Sequence, residues 1–242
     1  MRSMRVATAW FALAAYLPVT AAAQEPVPVS IQDNSFLIEE AYNQERGVVQ
    51  HISTLLRSPG SWSYSLTQEW PLSGQRHQLS FTVPIERGVG DVAINYRHQL
   101  TGLGLGGGGR AAFAPRLSLL LPTTEGGSLG LQVNLPVSAM LTRGVVSHWN
   151  AGATLTRANE TVYNGGASVI WLARPSVNFM LEVVWTGSAR SGDVIVNPGL
   201  RWAHNLGNLQ IVPGISFPDG RDVFLYLSFE HPFASTGPAR AP

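Results

Sequence analysis

The sequence predicts an all-β fold, a closed antiparallel transmembrane β-barrel of about twelve strands (about 10–14 fit the segment count). Three observations lead there. The stretch "LGLQVNLPVS", Leu129–Ser138, alternates without a fault: Leu129, Leu131, Val133, Leu135 and Val137 take one parity, Gly130, Gln132, Asn134, Pro136 and Ser138 the other. Successive strand side chains point to opposite faces, so this is a two-faced strand. Segments of this type, roughly ten residues each, recur along the chain with short turns between them, the pattern of an antiparallel meander. Their polar face is made mostly of Gly, Ala, Ser, Asn, Gln and Thr. A soluble sheet shows water many long charged side chains, whereas a narrow barrel needs small inward groups.

Taken in order, the segments are Gly47–Leu56, Trp62–Trp70, His77–Pro84, Asp91–Leu100, Ala112–Leu121 and Ser128–Met140, then Val145–Leu155, Gly165–Leu172, Val177–Thr186, Asp193–His204, Leu209–Phe217 and Asp222–His231. Turns such as "RSPGS", "LSGQR", "ARPS" and "PDGRD" join them. An even number of strands returns both barrel termini to one side, the periplasm. Pro115, Pro136, Pro198 and Pro213 each remove a ladder donor. With no edge to hide on, each predicts a bulge or a break. Sustained helical periodicity is missing; one turn of helix fits around Ser35–Tyr42.

Composition limits the alternatives. The 242 residues include no cysteine, every basic residue is arginine, and charged residues make up only 13%. With a formal charge of +1 and no basic block, nucleic acid is not an expected partner. Residues 1–23 read as a signal peptide: Arg2 and Arg5, an apolar stretch from Val6 to about Thr20, then Ala21-Ala22-Ala23, with the mature chain starting at Gln24. Residues 24–46 follow as a pre-barrel periplasmic segment, 47–233 as the barrel and 234–242 as a C-terminal tail.

The charges and aromatics sort by face. Glu69, Arg97, Arg116, Glu182, Arg201 and Glu230 all share parity with small polar neighbours, which places them in the lumen as a charged constriction, arginines against glutamates. On the opposite parity, Trp70, Tyr96, Trp149, Trp171 and Trp202 gather toward one rim and Trp62 and Trp185 toward the other, as membrane-interface girdles do.

Other motifs lead elsewhere. "GLGLGGGGR" matches the spacing of a phosphate-binding loop, but a strand follows it instead of the required helix, so it reads as a turn. The six histidines show no metal-ligand spacing, and "NET" at Asn159–Thr161 reads as a loop. No serine or aspartate pairs convincingly with a histidine, so the chain reads as no enzyme, with no cofactor and no metal. The segment "IQDNSFLIEEAYNQERGVVQHI", Ile31–Ile52, admits two readings: a periplasmic tether, which is preferred, or an inward plug meeting Arg97, Arg116 and Arg201.

The stretches "EEAYNQERGVVQHI", "TQEWPLSGQRHQLSF", "GDVAINYRHQL", "APRLSLLLPT" and "LGLQVNLPVS" resemble bacterial outer-membrane proteins described as transporters of the meta-pathway of phenol degradation. The resemblance spans about Asp33 to Phe233, and the glycine run at Gly106–Gly109 is longer than that family's turn. It implies a β-barrel in the bacterial outer membrane and passage of aromatic compounds. The expected function is a passive channel or transporter for small molecules. Its expected partners are outer-membrane lipid, the barrel-assembly machinery and a small-molecule solute. An outer-membrane barrel enzyme and a soluble periplasmic β-protein binding a ligand are the alternatives.

Overall fold

The computed structural model describes residues 34–72, 74–102, 111–156, 161–188, 190–206 and 209–232. The signal peptide, the junction at Gln24, the run Gly104–Gly109, Asn159 and the tail 234–242 lie outside the described residues. Among the described residues twelve strands form: β1 Val48–Ser58, β2 Ser61–Pro71, β3 His77–Ile85, β4 Val92–His98, β5 in two segments (Ala111–Phe113 and Arg116–Leu121), and β6 in two segments (Gly130–Asn134 and Val137–Thr142). Then come β7 Val145–Thr156, β8 Val162–Arg174, β9 Val177–Gly187, β10 in two segments (Gly192–Trp202 and His204–Leu206), β11 Leu209–Ser216 and β12 Val223–Pro232.

Each strand pairs antiparallel with its neighbours in sequence. The first and last strands pair as well, from Val48 opposite Pro232 to Arg57 opposite Val223, so the sheet closes on itself. Closure satisfies every edge, which is what lets a sheet sit in lipid. The full-length strands, such as the 11 residues of β1, are long enough to cross the hydrocarbon at a tilt.

Two of the four strand prolines act as expected and two do not. Pro115 and Pro136 fall in the interruptions of β5 and β6. Pro198 and Pro213 lie within continuous segments, paired in register with Leu181 and Leu227. The carbonyl of Pro198 accepts from the Phe217 amide, so its nitrogen faces β11 just where that ladder begins, at Gly199. Pro213 falls opposite Trp202, in the lapse of pairing between Arg201–Gly214 and His204–Ile211 beside the gap at Ala203 that divides β10, so the strand interrupted there is the partner. A proline is tolerated where its missing donor meets no acceptor.

The two faces differ as the alternation requires. Outward side chains include Leu117, Leu131, Leu181, Val194 and Leu227, each more than two-fifths exposed, an apolar surface suited to lipid. The inward side chains Gln78, Ser118, Ser138, Asn178, Asn197 and Ser228 are all buried. In a barrel with an open lumen such groups would meet water.

They are buried because Asn34–Gln44 runs inside the barrel, with Glu45 and Arg46 exposed beyond it. Of the two readings of this segment, the preferred periplasmic tether fails for this part of the chain, and its contacts are those of the inward plug: Glu39 meets Arg97 and Arg116, and the Asn34 carbonyl meets Arg201. The turn of helix expected around Ser35–Tyr42 is also missing; bends stand in its place. Both corrections share one cause: the amides of this segment find their acceptors on the barrel wall and need neither water nor a helix.

Candidate functional site

A buried chain without helix or ladder must satisfy its amides some other way. Here the lumenal side chains do it one by one. Glu182 Oε1 accepts from the amides of Phe36 (3.0 Å), Leu37 (2.9 Å) and Ile38 (3.1 Å), and its Oε2 accepts from Asn197 Nδ2 at 2.6 Å. Asn150 Oδ1 takes the Glu39 amide, Ser138 Oγ the Ala41 amide, Gln99 Oε1 the Asn43 amide and Gln78 Oε1 the Gln44 amide. Arg97 donates to the carbonyls of Glu40 and Tyr42 and to Asn43 Oδ1, while Arg201 donates to the Asn34 carbonyl.

Charge pairing follows the same pattern. Arg97 and Arg116 stand directly opposite each other on β4 and β5, so their like charges call for a counterion. Glu39 of the segment supplies it, at 3.2 Å from Arg97 Nη1 and 3.0 Å from Arg116 Nε. Glu40 adds a longer contact of 4.0 Å to Arg97. Removing one partner of so buried a cluster would leave an uncompensated charge.

At the other end of the segment, Phe36 packs against Phe224 and Tyr226, with centroids 5.5 and 5.4 Å apart. The Arg201 guanidinium lies over the Tyr226 ring at 4.5 Å, within cation–π range. The space for Phe36 comes from glycines on β10 and β11. A Cβ on Gly199 or Gly214 would come within 2.6 or 2.7 Å of its ring.

A cavity of about 340 Å³ remains beside the segment. Hydroxyl and amide groups of β1–β4, among them Thr54, Ser65, Thr67 and Thr82, form one wall. Arg97, Arg116, Glu39 and Glu69 bring charge to it, and Phe36, Phe224 and Tyr226 bring aromatic surface.

The predicted constriction residues therefore occupy the interior with other partners than the sequence suggests. Arg97 and Arg116 pair with Glu39, while Arg201 meets a carbonyl and Tyr226. Glu182 binds amides, and Glu69 accepts from Gln78 Nε2 at 2.8 Å. Glu230 stands in register with Gln50, which on its other side stands in register with Glu69. The segment lies between the walls and adds carboxylates of its own, Glu39 and Glu40, beside the arginines. Of the expected girdle aromatics, Trp62, Tyr96, Trp149, Trp171, Trp185 and Trp202 are exposed on the outer face; Trp70 is half-buried there against Phe81.

The plug alternative brought this segment to Arg97, Arg116 and Arg201; what sequence reading missed is the Asn150 and Gln99 clamps and one serine–histidine pair. Ser138 Oγ lies 2.6 Å from His148 Nδ1. Both residues are fully buried, and the Ala41 amide donates to that same Oγ, so the pair holds the segment and has no room for a substrate.

No protein-family profile matches the chain, and no curated protein does. Solved structures do match in fold. The KdgM porin superposes with a TM-score of 0.57 at 9% identity, covering 76% of this chain and 99% of its own. The NanC porin gives 0.54 at 7% identity, with 76% and 98% covered. An outer-membrane channel from Pseudomonas putida F1 gives 0.55 at 11%, with 87% and 100% covered. The fold is that of bacterial outer-membrane porins and channels.

Proposed function

We propose that the protein is a passive outer-membrane channel for small molecules, without enzymatic activity, whose passage is the cavity between the lumenal segment and β1–β4. The observation that carries this is a lumen kept polar and roomy on one side only. Its volume of about 340 Å³ sits at the low end of cavities that enclose one small ligand, ~300–1,000 Å³. Solutes of one ring or one sugar unit match that space and longer chains do not. Export through a signal peptide ending at Ala23, insertion by the barrel-assembly machinery and residence in outer-membrane lipid accompany this reading.

Aromatic solutes are the finer version of it. Phe36, Phe224 and Tyr226 line the same cavity, so a flat apolar ring finds stacking partners beside the polar wall. This supports the passage of aromatic compounds that the resemblance to phenol-degradation transporters implies. Liposome swelling tests both versions. Swelling rates should fall steeply once solutes exceed one ring, with single-ring aromatics ahead of sugars of equal size. If no solute swells the vesicles, the channel reading is lost.

A further inference from the structure

The carboxylate of Glu39 is bound as a ligand would be. Arg97 Nη1 donates to Oε1 at 3.2 Å, Asn134 Nδ2 donates to Oε2 at 2.6 Å, and Arg116 Nε lies 3.0 Å from Oε2. The three donors come from three adjacent strands, β4, β5 and β6, and belong to the rigid wall. Only the carboxylate belongs to the irregular segment. The fit is also incomplete: Arg116 Nε is buried yet makes no aligned hydrogen bond, and Asn134 Oδ1 has none. Glu39, Arg97 and Arg116 border the open cavity, so a solute in the cavity reaches this point directly.

We infer that Arg97, Arg116 and Asn134 form a binding site for the carboxylate of a small monoanionic solute, which Glu39 occupies when no solute is present. Paired cations with a fork of donors are the chemistry that holds carboxylates. Charge sets the valence. Glu40 and Glu69 also face this cavity. With Glu39 displaced they balance two arginines, so one negative charge replaces what Glu39 supplied and a polyanion is repelled. The aromatic wall formed by Phe36, Phe224 and Tyr226 favours a solute with a ring. Glu39 then acts as a tethered competitor at high effective concentration. A solute that displaces it also loosens the hold on the segment. The inference rests on the channel reading only in that the solute has to reach the lumen.

The test uses benzoate as probe and benzyl alcohol as its neutral counterpart, with detergent-solubilised full-length protein and calorimetry. Glu39→Gln and Glu39→Ala, checked for folding by heat-modifiable migration, should bind benzoate about tenfold more tightly than the parent, because the tethered competitor is gone. Benzyl alcohol should show no such gain, and adding Arg116→Gln should abolish it. No gain in either folded variant overturns the site, as does a gain that survives Arg116→Gln or appears equally with benzyl alcohol. If neither variant folds, amide hydrogen exchange on the parent protein decides. Benzoate, and not benzyl alcohol, should speed exchange at Phe36–Ala41, and unchanged exchange overturns the site. Swelling assays on the same preparations separate the two readings. Benzoate binding without solute flux would sink the channel and leave the site standing; flux without binding would do the reverse.

Discussion

Asn150 grips the peptide of Glu39 from both sides. Its Nδ2 donates to the Glu39 carbonyl at 2.7 Å and its Oδ1 accepts from the Glu39 amide at 2.7 Å. One side chain on β7 thus imitates a ladder strand for a single residue of the lumenal segment. That residue also carries the carboxylate between Arg97 and Arg116, so backbone and side chain are fixed together.

Asn150→Ala should therefore release the segment more than it weakens the barrel. Two buried hydrogen bonds lost with both backbone groups left unsatisfied cost about 2–4 kcal/mol. Hydrogen exchange at Glu39 and its neighbours should rise, and single-channel conductance should increase as the segment shifts. Protection identical to the parent would show that the clamp is not needed.

Glu182 is the larger anchor, because three consecutive amides share one carboxylate oxygen. Glu182→Ala should lower stability by about 3 kcal/mol or more, since bonds to a charged acceptor are the strong ones. Glu182→Gln, which keeps one acceptor oxygen, should recover part of the loss. The midpoint of heat-modifiable gel migration gives both values. Equal midpoints for Ala and Gln would mean that the amides find other acceptors.

Phe36 and Gly214 should behave as a coupled pair. Gly214→Val places carbon where the Phe36 ring now lies, at 2.7 Å for the Cβ alone, and should cost about 1–3 kcal/mol through overpacking. Adding Phe36→Ala should restore much of that loss. A double-mutant cycle with no coupling would contradict the packing described for the segment's start.

The outer face provides a contrast. Leu131→Arg puts a charge on the lipid side of β6 and should destabilise the barrel by about 2–4 kcal/mol near mid-bilayer. Thr67→Arg, on a residue lining the lumenal cavity, should cost much less. Gln132 is a poorer inward control, because its side chain already accepts from Arg116 Nη2 at 2.9 Å. Folding yields in lipid vesicles over a denaturant series would compare the two, and equal tolerance would mean that the faces are misassigned.

Alternation by itself determined the strands. Leu131 and Val133 take one side and Gln132 and Asn134 the other because the strand period is two, and no distant residue can change that. The same local rule carried the order of the twelve segments and the inward parity of Arg97, Glu182 and Arg201. It failed at Pro198 and Pro213, because a proline's cost depends on which neighbour its nitrogen faces, and that depends on register. For Asn34–Gln44 the rule left two readings open, tether and inward plug, and only the tertiary structure chose the second. That stretch has no period, and its amides are satisfied by residues up to 146 positions away, as Phe36 is by Glu182. Alternation says that a face points inward but not whether the interior holds water or chain. Only closure of the barrel, by bringing Glu182, Asn150, Ser138, Gln99 and Gln78 around one channel, created the acceptors that draw the segment inside, because an extended chain with no ladder of its own is stable only where a wall of polar side chains replaces water.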